Sequence, residues 1–283
     1  MKPAAFGYHK GEYEKVKKNV IPVLIVIILI PTLPGTPART HGQTASEKGL
    51  AIAQEADKRD EGFKDFTADA VMTLKNKHGE ESIRTMRIKT LEVKGDGDKS
   101  LTIFDNPRDV KGTAFLNYSH KKGDDDQWLY LPALKRVKRI SSRNKSGSFL
   151  GSEFSYEDIS GQEVEKYTYK WLRDEAYQGR DCYVFERYPI DKKNSGYSRQ
   201  VVWMDKKEYR EWKIEFYDRK KSLLKILTVT EYNRYLEKYW RANEMNMVNL
   251  QNSKSTKLLW SNYQFGTGLK EKDFNLNSLK RAK

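Results

Sequence analysis

Apolar and polar residues alternate with a period of two along most of the chain beyond Phe66, which is the pattern of β-strands that bury one face. Between Trp212 and Tyr217, for example, Trp, Ile and Phe are interleaved with Lys, Glu and Tyr. Turn-forming residues separate such runs, as at Asn76–Gly79. The pattern predicts about ten or eleven short strands, joined as antiparallel hairpins in one large curved sheet or barrel. The other strand-like runs are Phe66–Leu74, Ile83–Val93, Ser100–Phe104, Ala114–Ser119, Gln127–Leu131, Tyr167–Leu172, Tyr183–Tyr188, Gln200–Asp205, Leu223–Tyr232, Trp240–Val248 and Lys257–Gln264.

A helix is predicted before the first strand. Thr44–Ala45–Ser46–Glu47 has the spacing of a capping box, in which the threonine and the glutamate cap the first helical turn. Small and apolar residues then recur at helical spacing, and Gly62 can end the helix in a left-handed turn. We therefore expect an amphipathic helix over Ser46–Glu61. Such a helix can cover the hollow of an unclosed sheet as a movable lid, or it can simply plug one end of a barrel.

The amino end has the residue order of a secretory signal peptide. Four lysines between Lys10 and Lys18 precede an uninterrupted apolar run, Val23–Ile30, of eight residues. A membrane-spanning helix needs about 20 apolar residues. Small residues follow the run, and cleavage is expected after Ala38. The prediction is a signal peptide at residues 1–38 and a single domain at residues 45–283; an uncleaved anchor is the alternative.

The charge of the chain favours anionic partners. Its net charge of +14 at pH 7 suits phospholipid head groups, lipid phosphates or nucleic acid. Export from the cytoplasm argues against nucleic acid. Cys182 is the single cysteine, so an intramolecular disulfide is impossible, and its place in a strand-like run predicts a small buried side chain.

The sequence offers no recognisable catalytic or metal-binding set of residues. None of the four histidines has a partner at metal-ligand spacing, and no serine stands in the Gly-x-Ser-x-Gly elbow of a hydrolase. Asp96–Gly97–Asp98 and Asp124–Asp125–Asp126 lack the spacing of a calcium loop and are expected to be solvated hairpin turns. We therefore expect that the protein is not an enzyme and uses no metal and no cofactor.

The segment Asp124–Ile159 combines aromatic and aliphatic residues with a dense run of positive charge. Its basic residues Lys135, Arg136, Lys138 and Arg139 are candidates for contact with lipid phosphates or with an acidic protein. A solvated strand face explains the same charges, and the interleaved aromatic residues would also suit nucleic acid. Surface charges are screened within about 8 Å at physiological salt, so they can guide docking but cannot hold a lipid.

Holding a lipid requires an apolar cavity. Each acyl CH2 withdrawn from water gains about 0.8 kcal/mol, so a sixteen-carbon chain gains on the order of 10 kcal/mol. Side chains alternate along a strand, so Trp128 and Tyr130 must face the other way from Leu129 and Leu131, and only half of the candidates on that strand can face inward. Dense core packing would account for the same residues. The candidates for the cavity wall are Phe115, Leu116, Trp128, Tyr130, Leu131, Phe149, Phe154 and Trp203.

Four motifs together carry a family resemblance. They are Asp109–Leu116 (DVKGTAFL), Gln127–Leu134 (QWLYLPAL), Arg136–Ile140 (RVKRI) and Gly147–Asp158 (GSFLGSEFSYED). With them the chain, from about Ala45 to its end, resembles the outer-membrane lipoprotein-sorting proteins, which are relatives of the periplasmic lipoprotein carrier LolA. The resemblance implies a mainly β fold with helices (α+β), an unclosed antiparallel β half-barrel that is covered by an N-terminal helix and other short helices.

The resemblance also implies a function. It is that of a carrier in the periplasm, which binds the acyl chains of a lipoprotein or lipid and moves it between the inner and outer membranes. Its partners would be an inner-membrane transporter, of the ABC or the resistance–nodulation–division (RND) type, and an outer-membrane acceptor. We expect a monomer that binds no nucleic acid. The alternative is a non-catalytic periplasmic adaptor that docks on an RND-type exporter, with a filled interior and the basic run as its interface.

Overall fold

Thirteen antiparallel strands form one continuous sheet in the computed structural model, which describes residues 43–281. Within these residues there are three α-helices: α1 (Ala45–Asp60), α2 (Tyr156–Ile159) and α3 (Leu276–Arg281). The described residues belong to one compact unit. The strands are β1 (Asp65–Lys75), β2 (Glu81–Leu91), β3 (Lys99–Asn106), β4 (Ala114–Tyr118), β5 (Asp126–Leu131), β6 (Arg136–Ile140), β7 (Tyr167–Tyr177), β8 (Arg180–Pro189), β9 (Tyr197–Asp205), β10 (Glu211–Asp218), β11 (Leu223–Tyr235), β12 (Tyr239–Asn249) and β13 (Ser255–Phe265).

The sheet is open at β6 and β7. From edge to edge its order is β6-β5-β4-β3-β2-β1-β13-β12-β11-β10-β9-β8-β7. Neighbours in space are neighbours in sequence, except that β1 pairs with β13 and so joins the two halves. Among the described strands β6 and β7 do not pair with each other, so the sheet is not closed into a barrel. The predicted fold class, an unclosed antiparallel half-barrel with helices, is confirmed.

The strand that the sequence pattern did not reveal is β6. Its residues Arg136–Ile140 stood out only as positive charge, although they pair in antiparallel register with β5. An edge strand is paired on one side only, and charged side chains on it discourage pairing with other chains. It therefore lacks the apolar alternation that marks an interior strand.

One face of the sheet surrounds a single hydrophobic core. That core draws buried side chains from all thirteen strands and from α1, among them Ile52, Ile88, Phe115 and Phe185. Strands near both edges of an open sheet can share one core only if the sheet bends towards that face. We call it the inner face, and its curvature creates the hollow of the half-barrel.

Smaller cores lie on the opposite, outer face. Phe274 and Leu279 are almost completely buried in a cluster with Leu116. The last of the described helices, α3, is thereby fixed to the outer face of the first half of the sheet. In the other half, Val184 and Trp203 belong to a separate outer cluster.

Helix α1 begins with the predicted capping box. The Thr44 hydroxyl accepts a hydrogen bond from the Glu47 amide at 3.2 Å, and the Glu47 carboxylate accepts one from the Thr44 amide at 2.8 Å. The helix then packs on the edge strand β7, where Gly49 lies against the backbone. A Cβ at that glycine would stand 2.8 Å from the Trp171 nitrogen. The missing side chain is therefore what allows the helix to approach β7 so closely.

Within residues 43–281, no helix is both long enough and apolar enough to cross a membrane. The predicted signal peptide, residues 1–38, lies outside the described residues.

Replacing Gly49 with Ala is expected to destabilise the protein by about 1–3 kcal/mol, because the added methyl group meets the backbone of β7 and overpacks the contact. In an exposed helix interior the same change stabilises by roughly 1 kcal/mol. Urea unfolding measures the difference in the free energy of unfolding between the two proteins. Ala51→Gly, on the exposed side of α1, is the control that measures the contribution of helix propensity alone. A more stable Gly49→Ala protein would show that the close contact does not exist.

Candidate functional site

The segment between β6 and β7, residues 141–166, fills part of the hollow; we call it the plug segment. Its side chains Phe149 and Phe154 are buried in the inner core. The Phe149 ring lies 5.2 Å from that of Phe115 and 6.0 Å from that of Phe104, measured between ring centroids. The chain itself therefore occupies this part of the half-barrel.

A buried ion pair holds the plug segment in place. Lys225 Nζ of β11 donates to Asp158 Oδ2 at 2.6 Å and to the Glu153 carbonyl at 2.7 Å. The two charged side chains are only 4% and 5% exposed. The Tyr197 hydroxyl donates to Asp158 as well. Charges this deeply buried are tolerated only when they are paired and hydrogen-bonded, so this network specifies where the plug segment sits.

The hollow remains open beneath helix α1. A cavity of about 1160 Å³, which we call the α1 cavity, lies between the helix, the β2–β3 loop, the end of the plug segment and the inner face of β7–β9. Exposed residues such as Asp60 and Lys94 contribute to its lining, so the cavity reaches the surface. Apolar and aromatic side chains form part of its wall: Ala53, Ala56, Tyr169, Phe185, Met204 and Tyr209.

The remainder of the cavity lining is strongly acidic. The carboxylates are those of Asp57, Asp60, Glu61, Asp65, Glu92, Asp96, Asp98, Glu163 and Glu211, and the cations are Lys64, Lys94, Lys121 and Arg187. This excess of negative charge is the opposite of the net charge of +14 that the whole chain carries.

Three of these carboxyls are poorly stabilised as anions. Burial, followed by the nearby negative charges of Glu163, Glu92 and Asp60, raises the pKa of Asp98 from 3.8 to about 7. Burial is also the main cause that raises the pKa of Glu163 and that of Asp57. The cavity therefore brings carboxyls together where ionisation is costly, which is common at functional sites.

The structure divides the eight predicted cavity residues between the two faces. Phe115, Leu131, Phe149 and Phe154 belong to or pack against the inner core. Leu116, Trp128 and Tyr130 belong to or pack against the outer cluster beneath α3, and Trp203 belongs to the other outer cluster.

The assignment to the cavity wall is therefore corrected for four of the candidates, which lie on the outer face: Leu116, Trp128, Tyr130 and Trp203. The physical reason is the alternation of side chains along a strand, which turns Trp128 outward and Leu129 inward. None of the eight residues lines the α1 cavity. Binding of lipid by the four inward residues stays a prediction.

The cavity wall that the sequence did not reveal comes from α1 and β7–β9. Phe185 and Met204 are buried and line the cavity. Both lie on predicted strands, and Ala53 and Ala56 lie on the predicted helix. Alternation identifies them as residues that share a face, but it does not show which part of the face remains uncovered.

The basic candidates Lys135, Arg136, Lys138 and Arg139 are all exposed, at or on the edge strand β6. Arg139 forms an ion pair with Asp126 on β5. None of the four lines the α1 cavity. They can contact a partner at the protein surface, whereas the cations of the cavity lining are other residues.

The carboxylates of the aspartate-rich turns contact basic side chains. Asp96 lies 2.7 Å from the ring of His120, and Asp125 pairs with Lys166. The described residues contain no group of three or more His, Cys, Asp or Glu side chains that could hold a metal ion. Cys182 is completely buried, as predicted, and burial raises the pKa of its thiol to about 11.

Comparison with known proteins decides the family. A protein domain from Vibrio parahaemolyticus, described as an outer membrane lipoprotein-sorting domain, is 63% identical over 83% of this chain and all of its own, with a TM-score of 0.82. The chain belongs to the outer-membrane lipoprotein-sorting protein family. The family model that matches residues 96–281 is itself described as an uncharacterized protein. No curated protein sequence matches the chain.

Two further structures share the fold. A DUF1329 family protein from Desulfovibrio piger is 32% identical over 83% of this chain and 99% of its own, with a TM-score of 0.79. A LolA superfamily protein from Nitrosomonas europaea is 22% identical over 81% of this chain and 98% of its own, with a TM-score of 0.66. This member of the lipoprotein-sorting protein family therefore has the LolA-like fold.

The stability of the protein should fall as the pH rises from about 4 to about 7. Burial raises the pKa of Asp98 from 3.8 to about 7 and that of Glu157, in the plug segment, from 4.5 to about 7. In this window the folded state binds more protons than the unfolded state, and the resulting stabilisation is lost as the pH passes the folded pKa values. Urea unfolding between pH 4.5 and 8 measures the slope.

The double variant Asp98→Asn/Glu157→Gln should flatten that slope. Asp218→Asn is the control, because the hydrogen bond from Gln251 is the main cause that lowers the pKa of Asp218 below 3.8, outside the window. An unchanged slope in the double variant would contradict the assigned shifts.

Proposed function

We propose that this protein is a non-catalytic periplasmic carrier that holds an acyl chain of a lipoprotein or lipid in the α1 cavity. The observation that carries the proposal is a cavity of about 1160 Å³ with apolar and aromatic side chains in its wall, beneath an amphipathic helix on an unclosed sheet. Membership of the lipoprotein-sorting family supports it.

The size of the cavity is sufficient for such a ligand. Small-molecule pockets are typically about 300–1,000 Å³ and bury most of the ligand surface. An acyl chain gains about 0.8 kcal/mol for each CH2 that is covered. The surface that would cover the acyl chain comes from the side chains of Phe185, Met204 and Tyr169.

Helix α1 has the properties of a movable cover. Within its 16 residues only Gly49, Ile52 and Ala53 are buried. Full burial of a side chain such as Ile52 contributes about 1.5–3 kcal/mol, so moving the helix aside exposes little apolar surface. The ion pair of Lys48 with Asp174, at 3.7 Å, lies at the surface, where such a pair contributes about 0–1 kcal/mol. A second pair joins Asp60 of the helix, which is half exposed, to Arg241.

The proposed pathway includes both membranes. The protein would reach the periplasm through the signal peptide at residues 1–38, accept its cargo from an inner-membrane transporter of the ABC or RND type and deliver it to an outer-membrane acceptor as a monomer. The exposed basic residues of β6 would guide it to an acidic or anionic partner surface.

A second candidate function is a periplasmic adaptor that docks on an RND-type exporter. The observation that favours it is the row of exposed basic side chains at β6, which could contact an acidic surface of a partner. An adaptor does not require an interior cavity, so the presence of the α1 cavity favours the carrier function over the adaptor function.

Replacing Ala56 with Trp should abolish acyl-chain binding, because the indole occupies the α1 cavity from the inner side of α1. We expect at least a tenfold loss of affinity for a fluorescent fatty-acyl probe, measured by titration. Ala51→Trp, on the exposed side of the same helix, is the matched control and should bind the probe normally. Equal binding by the two folded variants would refute the α1 cavity as the acyl site.

A further inference from the structure

We infer that the α1 cavity selects amphiphiles by their head group, with cationic heads bound most tightly, uncharged heads next and anionic heads most weakly. This inference rests on the proposed function, since the apolar wall is taken as the site of the acyl chain. The acidic lining then determines which head group can accompany that chain.

Most of the acidic residues around the cavity already have a polar partner. The Glu92 carboxylate accepts hydrogen bonds from the Gly62 and Lys64 amides at 2.6 and 2.8 Å. Glu211 is held by Arg187 at 2.9 Å, and Asp60 by Arg241. The charges of these carboxylates are therefore compensated within the protein, without a ligand.

Three other carboxylates of the lining have weaker polar partners. Lys166 and Lys121 act on Glu163 only as nearby charges, and among residues 43–281 its side chain accepts no hydrogen bond. Asp98 accepts one long bond from the Val93 amide at 3.3 Å. Asp57 has Lys121 as its cation, at 3.9 Å. The three carboxylates lie in the plug segment just before β7, in the β2–β3 loop and in α1, and all of them line the α1 cavity.

Two glycines lie beside the Glu163 carboxylate. A Cβ on Gly97 or on Gly161 would stand 2.6 Å from Glu163 Oε1. The Gly161 amide donates to the Ser119 hydroxyl at 2.8 Å, which links the end of the plug segment to the residue after β4. The two glycines therefore leave room for the carboxylate between the β2–β3 loop and the end of the plug segment.

Negative charges in a cavity with poorly polarisable walls concentrate their potential inside it. A cationic head group would add positive charge beside these carboxylates, whereas an anionic head group would add a like charge at close range. One unit charge at a few ångströms, in a partly solvated site, changes affinity by about threefold to tenfold.

The net charge of the protein alone predicts the reverse order of head groups. At +14 the chain attracts anions at long range. That attraction is screened beyond about 8 Å at physiological salt. The local lining should therefore determine which head group is bound inside the cavity.

Three probes with the same twelve-carbon tail test the order: dodecyltrimethylammonium, dodecyl maltoside and dodecyl sulfate. Each competes with the fluorescent acyl probe below its micelle concentration at pH 8, with near-UV circular dichroism as the check on folding. We expect the cationic probe to bind about tenfold more tightly than the anionic probe. Equal or tighter binding of dodecyl sulfate by the folded protein would overturn the inference and leave the acyl site intact, whereas failure of all three to compete would refute the acyl site itself.

A second comparison covers the case in which dodecyl sulfate unfolds the protein. The double variant Asp57→Asn/Glu163→Gln should lower the ratio of the affinity for the cationic probe to that for dodecyl maltoside by about tenfold. Glu81→Gln removes a carboxylate at the other end of the strands, where Glu81 pairs with Lys75 at 3.5 Å, and should leave both affinities unchanged. A double variant with the same ratio of affinities as Glu81→Gln would contradict selection by the lining.

Discussion

The structure depends on one constraint: a curved sheet that does not close must cover or fill its own hollow. Thirteen strands bend towards one face, and the apolar side chains there cannot be left in water. The chain meets this constraint in two ways. The plug segment between the edge strands inserts Phe149 and Phe154 into the core, and helix α1 lies over the remainder.

The two coverings differ in how firmly they are held, and that difference supports a function. The plug segment is fixed by the buried pair of Lys225 and Asp158, whose separation would leave an uncompensated charge and cost about 3–5 kcal/mol. Helix α1 is held by a short apolar contact and by ion pairs such as that of Lys48 with Asp174, which is weak because it lies at the surface. One part of the hollow is thus filled by the chain itself, while the part beneath α1 is an open cavity.

Local patterns in the sequence were sufficient to predict α1 and the interior strands, because capping boxes and two-residue alternation are properties of neighbouring residues. Alternation also showed that Trp128 and Leu129 must face opposite ways. It could not show which of them faces inward, since that depends on where the plug segment and α3 pack. The plug segment is located by Lys225 and Asp158, which lie 67 residues apart in the chain. The acidic lining is likewise assembled from Asp57, Asp98 and Glu163, each of which looks like an ordinary surface charge in its own segment.

The central claim is that the α1 cavity carries an acyl chain, and its most direct test is the content of the native protein. The protein is purified from its native envelope without detergent, extracted with organic solvent and analysed by mass spectrometry against the Ala56→Trp variant purified in parallel. The account predicts about one acylated molecule for each protein and a large depletion in the variant. Repeated absence of any lipid from the native protein, or equal amounts in both proteins, would contradict it.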